Sequence, residues 1–523
     1  MPSTISSFAR LAPVSIAALL LTAPLAHADW SIDSSVNTPI ATQSGDTVQP
    51  KVAPAPGGGS YVSYFDNSGG GYDVWIQRMD AKGNPVWPGN GVQVANLALS
   101  STQDYGLTSD GQGGAVLAFQ DDRSGSIKIT ATRVDQDGNQ VWGPTGKTVS
   151  VGGSVNSPRA SLSADGRIIV GWSRDAVTEL QRIELDGTFD WAAPVSLSSA
   201  GASMILADLQ PGDGTSIIVS MVRQTGFSSP KVLRAQKVDA SGALLWPAAH
   251  VSVFSTGSLQ FGNYPRFVSD GAGGAVFGFY TTGPLQSWVQ HVDAAGTILW
   301  GTNGIGVTTT TTMERTGPSV AYDPATQRTY IAWEQHTPNT SNYGCYAQSF
   351  DAAGTRMWGA GGLALLTTKG NFGVREVEAE LFQGDIVFSF VRDIAFNNGT
   401  LYASRLDEAG TAMWGGLVTV CGVPSGHSRS EMQTADQGKS LVVIWQDSRD
   451  ANENIYGDAL TADGSLGPAS DPADINGDGH VDATDLALVL GAWGPASGSP
   501  ADVNGDGQVD AADLALVLGG WTG

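Results

Sequence analysis

A short acidic phrase occurs twice near the C-terminus, and its residue types are those that bind a hard metal cation. The first copy runs Asp474-Ile-Asn-Gly-Asp-Gly-His-Val-Asp-Ala-Thr-Asp485, and the second, from Asp502 to Asp513, begins 28 residues later. Ca²⁺ takes about six to eight oxygen ligands, so a loop that binds it must direct carboxylate and amide oxygens at one point. Both copies place oxygen donors at loop positions 1, 3, 5, 7, 9 and 12, with a glycine at position 6 where the chain turns sharply. We therefore expect two bound calcium ions.

The predicted ligands are five side chains in each loop and the backbone carbonyl at position 7. They are Asp474, Asn476, Asp478, His480, Asp482 and Asp485 in the first loop, and Asp502, Asn504, Asp506, Gln508, Asp510 and Asp513 in the second. Turn chemistry alone explains one Asp-Asn-Gly cluster. It does not explain the same positions occurring twice, each time before a segment with helical periodicity.

Apolar residues recur at helical spacing after each loop. The predicted apolar faces are Leu486, Val489, Leu490 and Trp493 in the first helix, and Leu514, Val517, Leu518 and Trp521 in the second. Two EF-hand-like calcium loops, each followed by a helix and lacking an entering helix, resemble a type I dockerin domain. The resemblance covers about the last 50 residues and predicts a small all-α calcium-binding domain.

The dockerin resemblance implies a partner and a setting. Such a domain docks onto a cohesin-like module and tethers a secreted protein to a scaffold or cell surface, commonly in polysaccharide breakdown. The family's partner-reading residues lie at loop positions 10 and 11 and on the following helix. These positions are here Ala483, Thr484, Ala511 and Ala512, with Leu490-Gly491 and Leu518-Gly519 on the helices.

The first 28 residues have the features of an export signal. Arg10 precedes an apolar run over residues 11–25, and Ala26-His27-Ala28 forms an A-x-A cleavage site. The alternative is a membrane anchor, but the run is short and is interrupted by Pro13 and Pro24. We predict a signal peptide over 1–28 and a secreted, extracellular protein without membrane insertion, either free or attached to the cell surface.

The composition limits the partners and the class of fold. A net charge of −23 disfavours nucleic acid and anionic membranes as partners. The 68 glycines and 41% hydrophobic content are typical of a turn-rich β protein and not of a disordered chain. The only two cysteines, Cys345 and Cys421, exclude a disulfide scaffold and leave open whether they pair with each other.

Two phrases alternate through the body of the chain. Copies of Asp-x-x-Gly-x-x-x-Trp end at Trp87, Trp142, Trp246, Trp300, Trp358 and Trp414, a variant with Glu184 ends at Trp191, and Asp463-Gly464 begins an eighth without its Trp. The second phrase is an apolar run closed by a large residue, at Tyr64, Phe119, Trp172, Met221, Phe279, Trp333, Phe390 and Trp445. The mean period is about 54 residues.

Each repeat reads as four short strands, so the chain is predicted to be an all-β, eight-bladed β-propeller. The eighth repeat lacks a fourth strand, whereas Trp30 to Ile40 resembles a fourth strand with no repeat before it. The N-terminal strand is therefore expected to close the last blade and remove the exposed edges. A seven-bladed ring with a stray unit and an open array are the alternatives. The predicted domains are the propeller over 29–467, a linker over 468–473 and the dockerin-like domain over 474–523.

Charged residues just beyond the second strand of several repeats are the candidates for catalysis: Asp121, Glu334 and Asp447. Paired carboxylates in a concave site are what glycoside hydrolysis requires. Asp-x-Arg sequences at equivalent repeat positions are also typical of structural salt bridges. No Gly-x-Ser-x-Gly elbow, phosphate loop or zinc motif occurs.

The sequence favours a non-catalytic binding or display module, with a glycan as a candidate ligand, carried by a calcium-dependent anchor. The first alternative is a carbohydrate-active enzyme in polysaccharide catabolism, an O-glycosyl hydrolase or a lyase, with its site at the propeller mouth. That alternative rests on association with the dockerin family, which is weak support. The second alternative is a purely structural surface protein.

Overall fold

A computed structural model describes residues 29–247, 249–338, 342–370, 372–395, 398–422, 428–476, 481–496 and 498–521. The predicted signal peptide over 1–28 lies outside these residues and stays a prediction.

Eight antiparallel sheets of four strands each form the body of the protein, and each sheet is one blade. The strand β1 (Thr38–Ala41) precedes blade 1, which contains β2 (Thr47–Ala55), β3 (Gly59–Asp66), β4 (Asp73–Met79) and β5 (Val92–Ala95). Blade 2 contains β6 (Gly106–Ser109), β7 (Ala115–Asp121), β8 (Lys128–Val134) and β9 (Lys147–Thr148). Blade 3 contains β10 (Val155–Leu162), β11 (Ile168–Arg174), β12 (Val177–Ile183) and β13 (Val195–Leu197). Blade 4 contains β14 (Ser203–Pro211), β15 (Ile217–Gln224), β16 (Val232–Val238) and β17 (Val251–Phe254).

The second half of the body repeats this order. Blade 5 contains β18 (Phe267–Ser269), β19 (Ala275–Thr281), β20 (Gln286–Val292) and β21 (Ile305–Gly306). Blade 6 contains β22 (Glu314–Asp323), β23 (Arg328–His336), β24 (Tyr343–Phe350) and β25 (Leu363–Leu366). Blade 7 contains β26 (Gly373–Phe382), β27 (Asp385–Ala395), β28 (Asn398–Leu406) and β29 (Val418–Cys421). Blade 8 contains β30 (Arg429–Asp436), β31 (Ser440–Asp447), β32 (Asn454–Thr461) and the strand β1.

The ring is closed by the N-terminal strand. The first strands of successive blades contact one another without interruption, and β30 of blade 8 contacts β2 of blade 1. The strand β1 pairs antiparallel with β32 as the fourth strand of blade 8. The predicted eight-bladed propeller is therefore confirmed, and the seven-bladed ring and the open array are excluded.

The second strands form the interior of the blades. All eight residues of β3 and all seven of β7 are buried, as a continuous apolar run predicts. The third strands are also largely buried, and in β4 only Trp75 and Arg78 are partly exposed. Neighbouring blades cover both faces of these strands, so their polar residues, such as Gln77, are buried and hydrogen-bonded.

The repeated tryptophans join each blade to the next. The indole of Trp87 donates a hydrogen bond to the Gln136 carbonyl at 3.1 Å, and Trp142 donates to the Leu185 carbonyl at 2.9 Å. Each acceptor lies in the Asp-x-x-Gly turn of the following blade. The turn glycine has a positive φ, 87° at Gly138, and a β-carbon there would lie 3.3 Å from the Trp87 ring.

Trp30 takes the place of the missing eighth tryptophan. Its side chain is 2% exposed, and a β-carbon on Gly83 would lie 2.5 Å from its ring. The turn of the eighth copy follows β32 and begins at Thr461, whose carbonyl accepts a hydrogen bond from the Gly464 amide at 3.0 Å. This copy has no tryptophan of its own, and Trp30 from the N-terminal end of the chain supplies the missing indole.

A second, smaller core lies in the C-terminal segment. Its elements are α1 (Ala483–Gly491), β33 (Gly494–Pro495), β34 (Gln508–Val509) and α2 (Ala511–Gly519). The core consists of small and medium apolar residues: Ala473, Val481, Val489, Ala501, Val509 and Val517. The two helices are as predicted, and the short pairing of β33 with β34 is an additional feature.

The apolar faces of these helices are narrower than the periodicity predicts. Val489 is buried, but Leu490 is 55% exposed and Trp493 is 51% exposed. Leu490 lies about 100° around the helix from Val489, and Trp493 lies beyond the end of α1 at Gly491.

Candidate functional site

The second predicted calcium loop is described throughout, and its own backbone orients its carboxylates. Asp502 accepts hydrogen bonds from the amides of Asp506 at 3.1 Å and Gly507 at 2.8 Å. The side-chain oxygen of Asn504 accepts from the Asp506 amide at 2.9 Å. Gly505 and Gly507 have φ values of 73° and 86°, which lets the chain turn tightly between the ligand positions.

The last two ligand positions of this loop also begin the helix. Asp510 caps α2 by accepting a hydrogen bond from the Ala512 amide at 2.8 Å. Asp513 completes the capping box by accepting from the Asp510 amide at 2.9 Å, and it accepts from the Asn504 amide at 3.0 Å. These backbone hydrogen bonds lower the pKa of Asp513, so its carboxylate is ionised at neutral pH.

The first loop has the same arrangement at its described positions. Asp482 accepts from the Thr484 amide at 2.7 Å, and Asp485 accepts from the amides of Asp482 at 2.9 Å and Ile475 at 2.8 Å. Two other predicted ligands of this loop lie outside the described residues: Asp478 and His480.

The donor set of the loops fits calcium in its chemistry. Carboxylate, amide and carbonyl oxygens are the ligands that Ca²⁺ takes in proteins. Within the part of the chain that the structure describes, no three acidic, histidine or cysteine side chains are already gathered in the geometry of a metal site. In the second loop the carboxylates accept hydrogen bonds from backbone amides. The ligand set and the number of ions stay predictions.

Both helices turn apolar side chains to solvent, and the exposed positions repeat between them. The partner-reading positions of the resemblance, Ala483, Thr484, Ala511 and Ala512, are exposed. The exposed large side chains are Leu488, Leu490 and Trp493 after the first loop, and Leu516, Leu518 and Trp521 after the second. Exposed apolar side chains at this density are typical of a contact surface.

Asp121 is held by an ion pair at the end of β7. It pairs with Arg123 at 2.7 Å and accepts from the Thr130 hydroxyl at 2.8 Å. Burial alone would raise the pKa of this carboxyl, but the hydrogen bonds from Arg123 outweigh it and lower the pKa below its ordinary value.

Asp447 lies in a fully buried cluster at the end of β31. It pairs with Arg449 at 2.5 Å and with Arg429 at 3.3 Å, and it accepts from the Trp445 indole at 3.0 Å. Asp447 and Arg429 are both 0% exposed. The cluster joins the first and second strands of blade 8, and Arg449, which follows the second strand, lies over the ring of Tyr456 in the third. It is a structural connection.

Glu334 lies in β23, next to the first strand of blade 6. It accepts a hydrogen bond from the Thr316 hydroxyl at 3.2 Å. Burial raises the pKa of Glu334 to about 7. The three carboxylates predicted as catalytic candidates, Asp121, Glu334 and Asp447, thus belong to three different blades, and each is held within its own.

The propeller channel is lined by a set of residues that the repeated phrases of the sequence did not predict. In six blades the first strand contains a register shift, and the residue that follows the shift lies on a channel cavity: Lys51, Arg159, Asp208, Ser319, Glu378 and Gln433. In blade 5, Arg266 occupies the corresponding place just before β18. A β-bulge turns a side chain away from its regular direction, and here it directs these groups at the channel. We call these seven residues the channel ring.

Opposite charges meet in the channel. Lys51 and Arg159 both bind the carboxylate of Asp104, at 2.9 Å and 2.5 Å. Burial would raise the pKa of Asp104, but Lys51 and Arg159 outweigh it and hold that pKa below its usual range. Arg266 lies 4.0 Å from Glu378 and donates to the Gln433 side chain at 3.2 Å.

One side of the channel is rich in carboxyl groups. Glu376, Glu378 and Glu380 alternate along β26. Burial raises the pKa of all three groups, to about 8 at Glu380. A signal for the ring exists in the sequence, because each member lies 12 to 14 residues before the large residue that closes the second strand. Only the bulges show that this column faces the channel.

The two cysteines are buried in β24 and β29 of neighbouring blades, and no disulfide joins them. No helix among the described residues is long and apolar enough to cross a membrane.

Comparisons with known proteins agree with the two-part organisation. The family model of the type I dockerin domain matches residues 472–518. No curated protein sequence matches the chain significantly. Among solved structures, the Dos1 propeller has 13% identity, covers 82% of this chain and 95% of its own, and gives a TM-score of 0.47. A PL25 ulvan lyase bound to -[GlcA(1-4)Rha3S]- has 13% identity, with 80% and 94% coverage and a TM-score of 0.46.

A third structure, of the polysaccharide lyase Uly1, has 10% identity, covers 81% of this chain and 91% of its own, and gives a TM-score of 0.41. At this similarity none of the activities of these proteins carries over to the present chain. The dockerin match covers both predicted calcium loops, all of α1 and all but the last residue of α2. Type I dockerins bind calcium and cohesins and occur in extracellular proteins. Residues 472–518 are therefore a type I dockerin domain, which follows an eight-bladed β-propeller in the same chain.

Proposed function

We propose that this is a secreted, calcium-binding protein whose dockerin domain anchors the propeller to a cohesin-bearing scaffold or surface. The propeller then serves as the binding or display module of the anchored protein. Each function is assigned to one predicted domain. The binding module is the propeller over 29–467, and the anchor is the calcium domain over 474–523, which follows a linker over 468–473.

The observation that carries the proposal is the pair of matching loop-and-helix segments with exposed apolar faces. Leu488 and Leu516 are 28 residues apart and are 41% and 46% exposed. Burying apolar side chains in an interface stabilises the complex by about 25 cal/mol for each Å² of apolar surface removed from water. A docking partner would bury these faces, and no other described part of the chain covers them.

Calcium would hold the loops that position these helices. The side chains of Asp502, Asn504 and Asp506, with those of Asp510 and Asp513, supply oxygens to one ion, and the first loop supplies the same set to a second. A bound ion offsets the repulsion among carboxylates in a segment that has nine Asp and no Lys or Arg from Asp471 onward. The capping carboxylates of Asp485 and Asp513 connect the order of the loops to the starts of the helices.

The anchoring function is tested with the full chain and an immobilised type I cohesin module. Titration of the chelated protein with CaCl₂ is expected to show two ions per chain, and cohesin capture is expected only with calcium. Asp474→Ala with Asp502→Ala should abolish both. Asp137→Ala with Asp186→Ala is the matched control, because these two carboxylates lie exposed in propeller turns.

A second pair of variants separates docking from calcium binding. Leu488→Asp with Leu516→Asp should retain calcium binding and lose cohesin capture, because both side chains are exposed and outside the loops. Calcium titration without heat, together with a circular dichroism spectrum that is the same in calcium and in chelator, would contradict the proposal.

The second candidate function is a carbohydrate-active enzyme. One observation favours it: Glu334, with its pKa raised to about 7 by burial, is able to exchange a proton at neutral pH. Release of reducing ends from a panel of polysaccharides, lost in Glu334→Gln, is the result expected of an enzyme. Absence of release by the folded wild-type chain would leave the binding module as the function.

A further inference from the structure

We propose that the cavity on the carboxyl-rich side of the channel, between blades 4 and 7, binds an uncharged saccharide. This inference rests on the binding role given to the propeller, and it names the ligand class of that role.

The cavity is open and has mixed chemistry. Its volume is about 290 Å³, close to the lower end of ligand pockets, which is about 300 Å³. The polar residues on its walls include Asn263, Tyr264, Arg266, Tyr280, Glu378 and Glu380. Apolar wall is supplied by Phe267, Phe279 and Val320.

Four of these polar groups have no hydrogen-bond partner among the described residues. They are the hydroxyls of Tyr264 and Tyr280, the Nδ2 of Asn263 and the carboxyl of Glu380. Of these four, the Nδ2 of Asn263 is buried, and a buried polar group without a partner costs about 1–3 kcal/mol. The other three side chains are partly exposed, Tyr264 by 38%. Four unpartnered polar groups on the walls of one open cavity point to a ligand that carries several hydroxyls.

An aromatic pair faces solvent, and one of its two rings belongs to the segment that leads along the chain into the cavity wall. Phe227 is 76% exposed and Phe261 is 62% exposed, and their ring centroids are 5.1 Å apart. Lys231 fixes the pair, because its ammonium lies 5.3 Å from the Phe261 ring and donates to the Phe227 carbonyl at 3.0 Å. Phe261 is only two residues from Asn263, within about 7 Å along the chain.

A sugar ring matches both surfaces. Its C–H faces are apolar and pack on aromatic rings, and its hydroxyls at the ring edge exchange hydrogen bonds with amides, phenols and carboxyls. We expect the terminal sugar of a chain to enter the cavity against Tyr264 and the next sugar to pack on the Phe227–Phe261 pair.

The charges of the cavity exclude an anionic saccharide. Arg266 is the one cation on the walls, and Glu378 already faces it at 4.0 Å. Burial, together with the nearby carboxyl groups of Glu378 and Asp436, raises the pKa of Glu380 to about 8. Glu380 is therefore protonated at neutral pH and is able to donate a hydrogen bond to a sugar oxygen.

The test is calorimetry of the full chain in CaCl₂ at pH 6.5 with cellohexaose, xylohexaose and mannohexaose, and with trigalacturonate as the anionic comparison. At least one uncharged hexasaccharide is expected to bind, and trigalacturonate at least ten-fold more weakly. Tyr264→Ala and Phe261→Ala should each weaken binding ten-fold or more. Phe189→Ala is the matched control, because Phe189 is 40% exposed but lies in a turn between the third and fourth strands of blade 3.

The pH dependence of binding distinguishes a Glu380 that donates a hydrogen bond to the ligand from a Glu380 that only supports the fold. Wild-type affinity should fall about ten-fold from pH 6.5 to 9.5, as Glu380 loses its proton through a pKa of about 8. Glu380→Gln keeps a neutral donor of the same shape and should bind equally at both pH values. An unchanged melting temperature shows that the variant is folded.

Failure of all three uncharged hexasaccharides to bind, or equal binding by the Tyr264→Ala and Phe261→Ala variants, would overturn this inference. Such a result together with intact calcium-dependent cohesin capture would leave the anchoring function standing. Loss of cohesin capture with retained saccharide binding would contradict the anchoring function and leave the saccharide site standing.

Discussion

Aspartates and glutamates in this chain take different roles according to what surrounds them. Asp513 accepts hydrogen bonds from backbone amides at the start of α2 and stays ionised, so it suits a calcium ligand. Asp447 is surrounded by two arginines and an indole, so it connects strands. Glu380 is buried near other carboxyls and holds its proton. A residue type alone does not distinguish these three cases.

At the residue scale, we predict that Asp447→Ala lowers the free energy of unfolding of the propeller by about 3–5 kcal/mol. The substitution leaves the fully buried guanidinium of Arg429 without its carboxylate. Asp121→Ala should cost less, about 1 kcal/mol, because its partner Arg123 is partly exposed. Urea denaturation measures both values, and an equal loss in the two variants would contradict the assignment of a buried cluster to Asp447.

At the scale of elements, the N-terminal segment joins the last two blades of the propeller to the first. Asn37 donates to Asp458 at 2.6 Å and to the Val420 carbonyl at 2.9 Å. Arg449 donates to the Val36 carbonyl at 2.9 Å, and the Gly422 amide donates to the Ser34 carbonyl at 2.9 Å. These contacts connect the segment to blades 7 and 8, while Trp30 packs on blade 1.

We therefore predict that deletion of residues 29–41 lowers the melting temperature of the whole propeller. Trp30→Ala alone should cost about 3–5 kcal/mol, because it removes a buried indole between the first and last blades. Ile32→Ala is the control on the same segment, since Ile32 is 82% exposed. Thermal denaturation followed by circular dichroism is the measurement, and a truncated chain that melts like the intact one would show that closure does not depend on this strand.

At the scale of the whole molecule, the two parts have separate cores. The six buried residues of the dockerin core all lie between Ala473 and Val517, and no core cluster of the described chain combines them with residues of the blades. The stability of each part should therefore respond to its own ligands.

Chelation of calcium is expected to remove or lower only the smaller of two unfolding transitions. Scanning calorimetry of the full chain in CaCl₂ and in EDTA should show the propeller transition at the same temperature in both. Binding to the native state stabilises the domain that binds, in proportion to the logarithm of the free ligand concentration. A propeller transition that falls with EDTA would indicate that the two parts unfold as one unit.

The sequence by itself determined the features that depend on local spacing. The loop positions from Asp502 to Asp513 are predicted from the oxygens that calcium requires. The capping boxes at Asp482 and Asp510 lie within a few residues of the helices they begin. The blade number and the closing strand also followed from the sequence, because a repeat of about 54 residues shows both where a unit is missing its end and where that end is found.

Only the tertiary structure decided which polar residues meet. The channel ring gathers Lys51, Arg266 and Glu378 from blades far apart in sequence. Bulges in the first strands turn Lys51 and Glu378 inward, and Arg266 lies just before the first strand of its blade. Each bulge changes the alternation of inward and outward side chains, so a regular strand pattern does not predict the channel lining. In the same way, the burial of Asp447 and the exposure of Leu490 depend on neighbouring strands and on where a helix ends, which the spacing of residues does not contain.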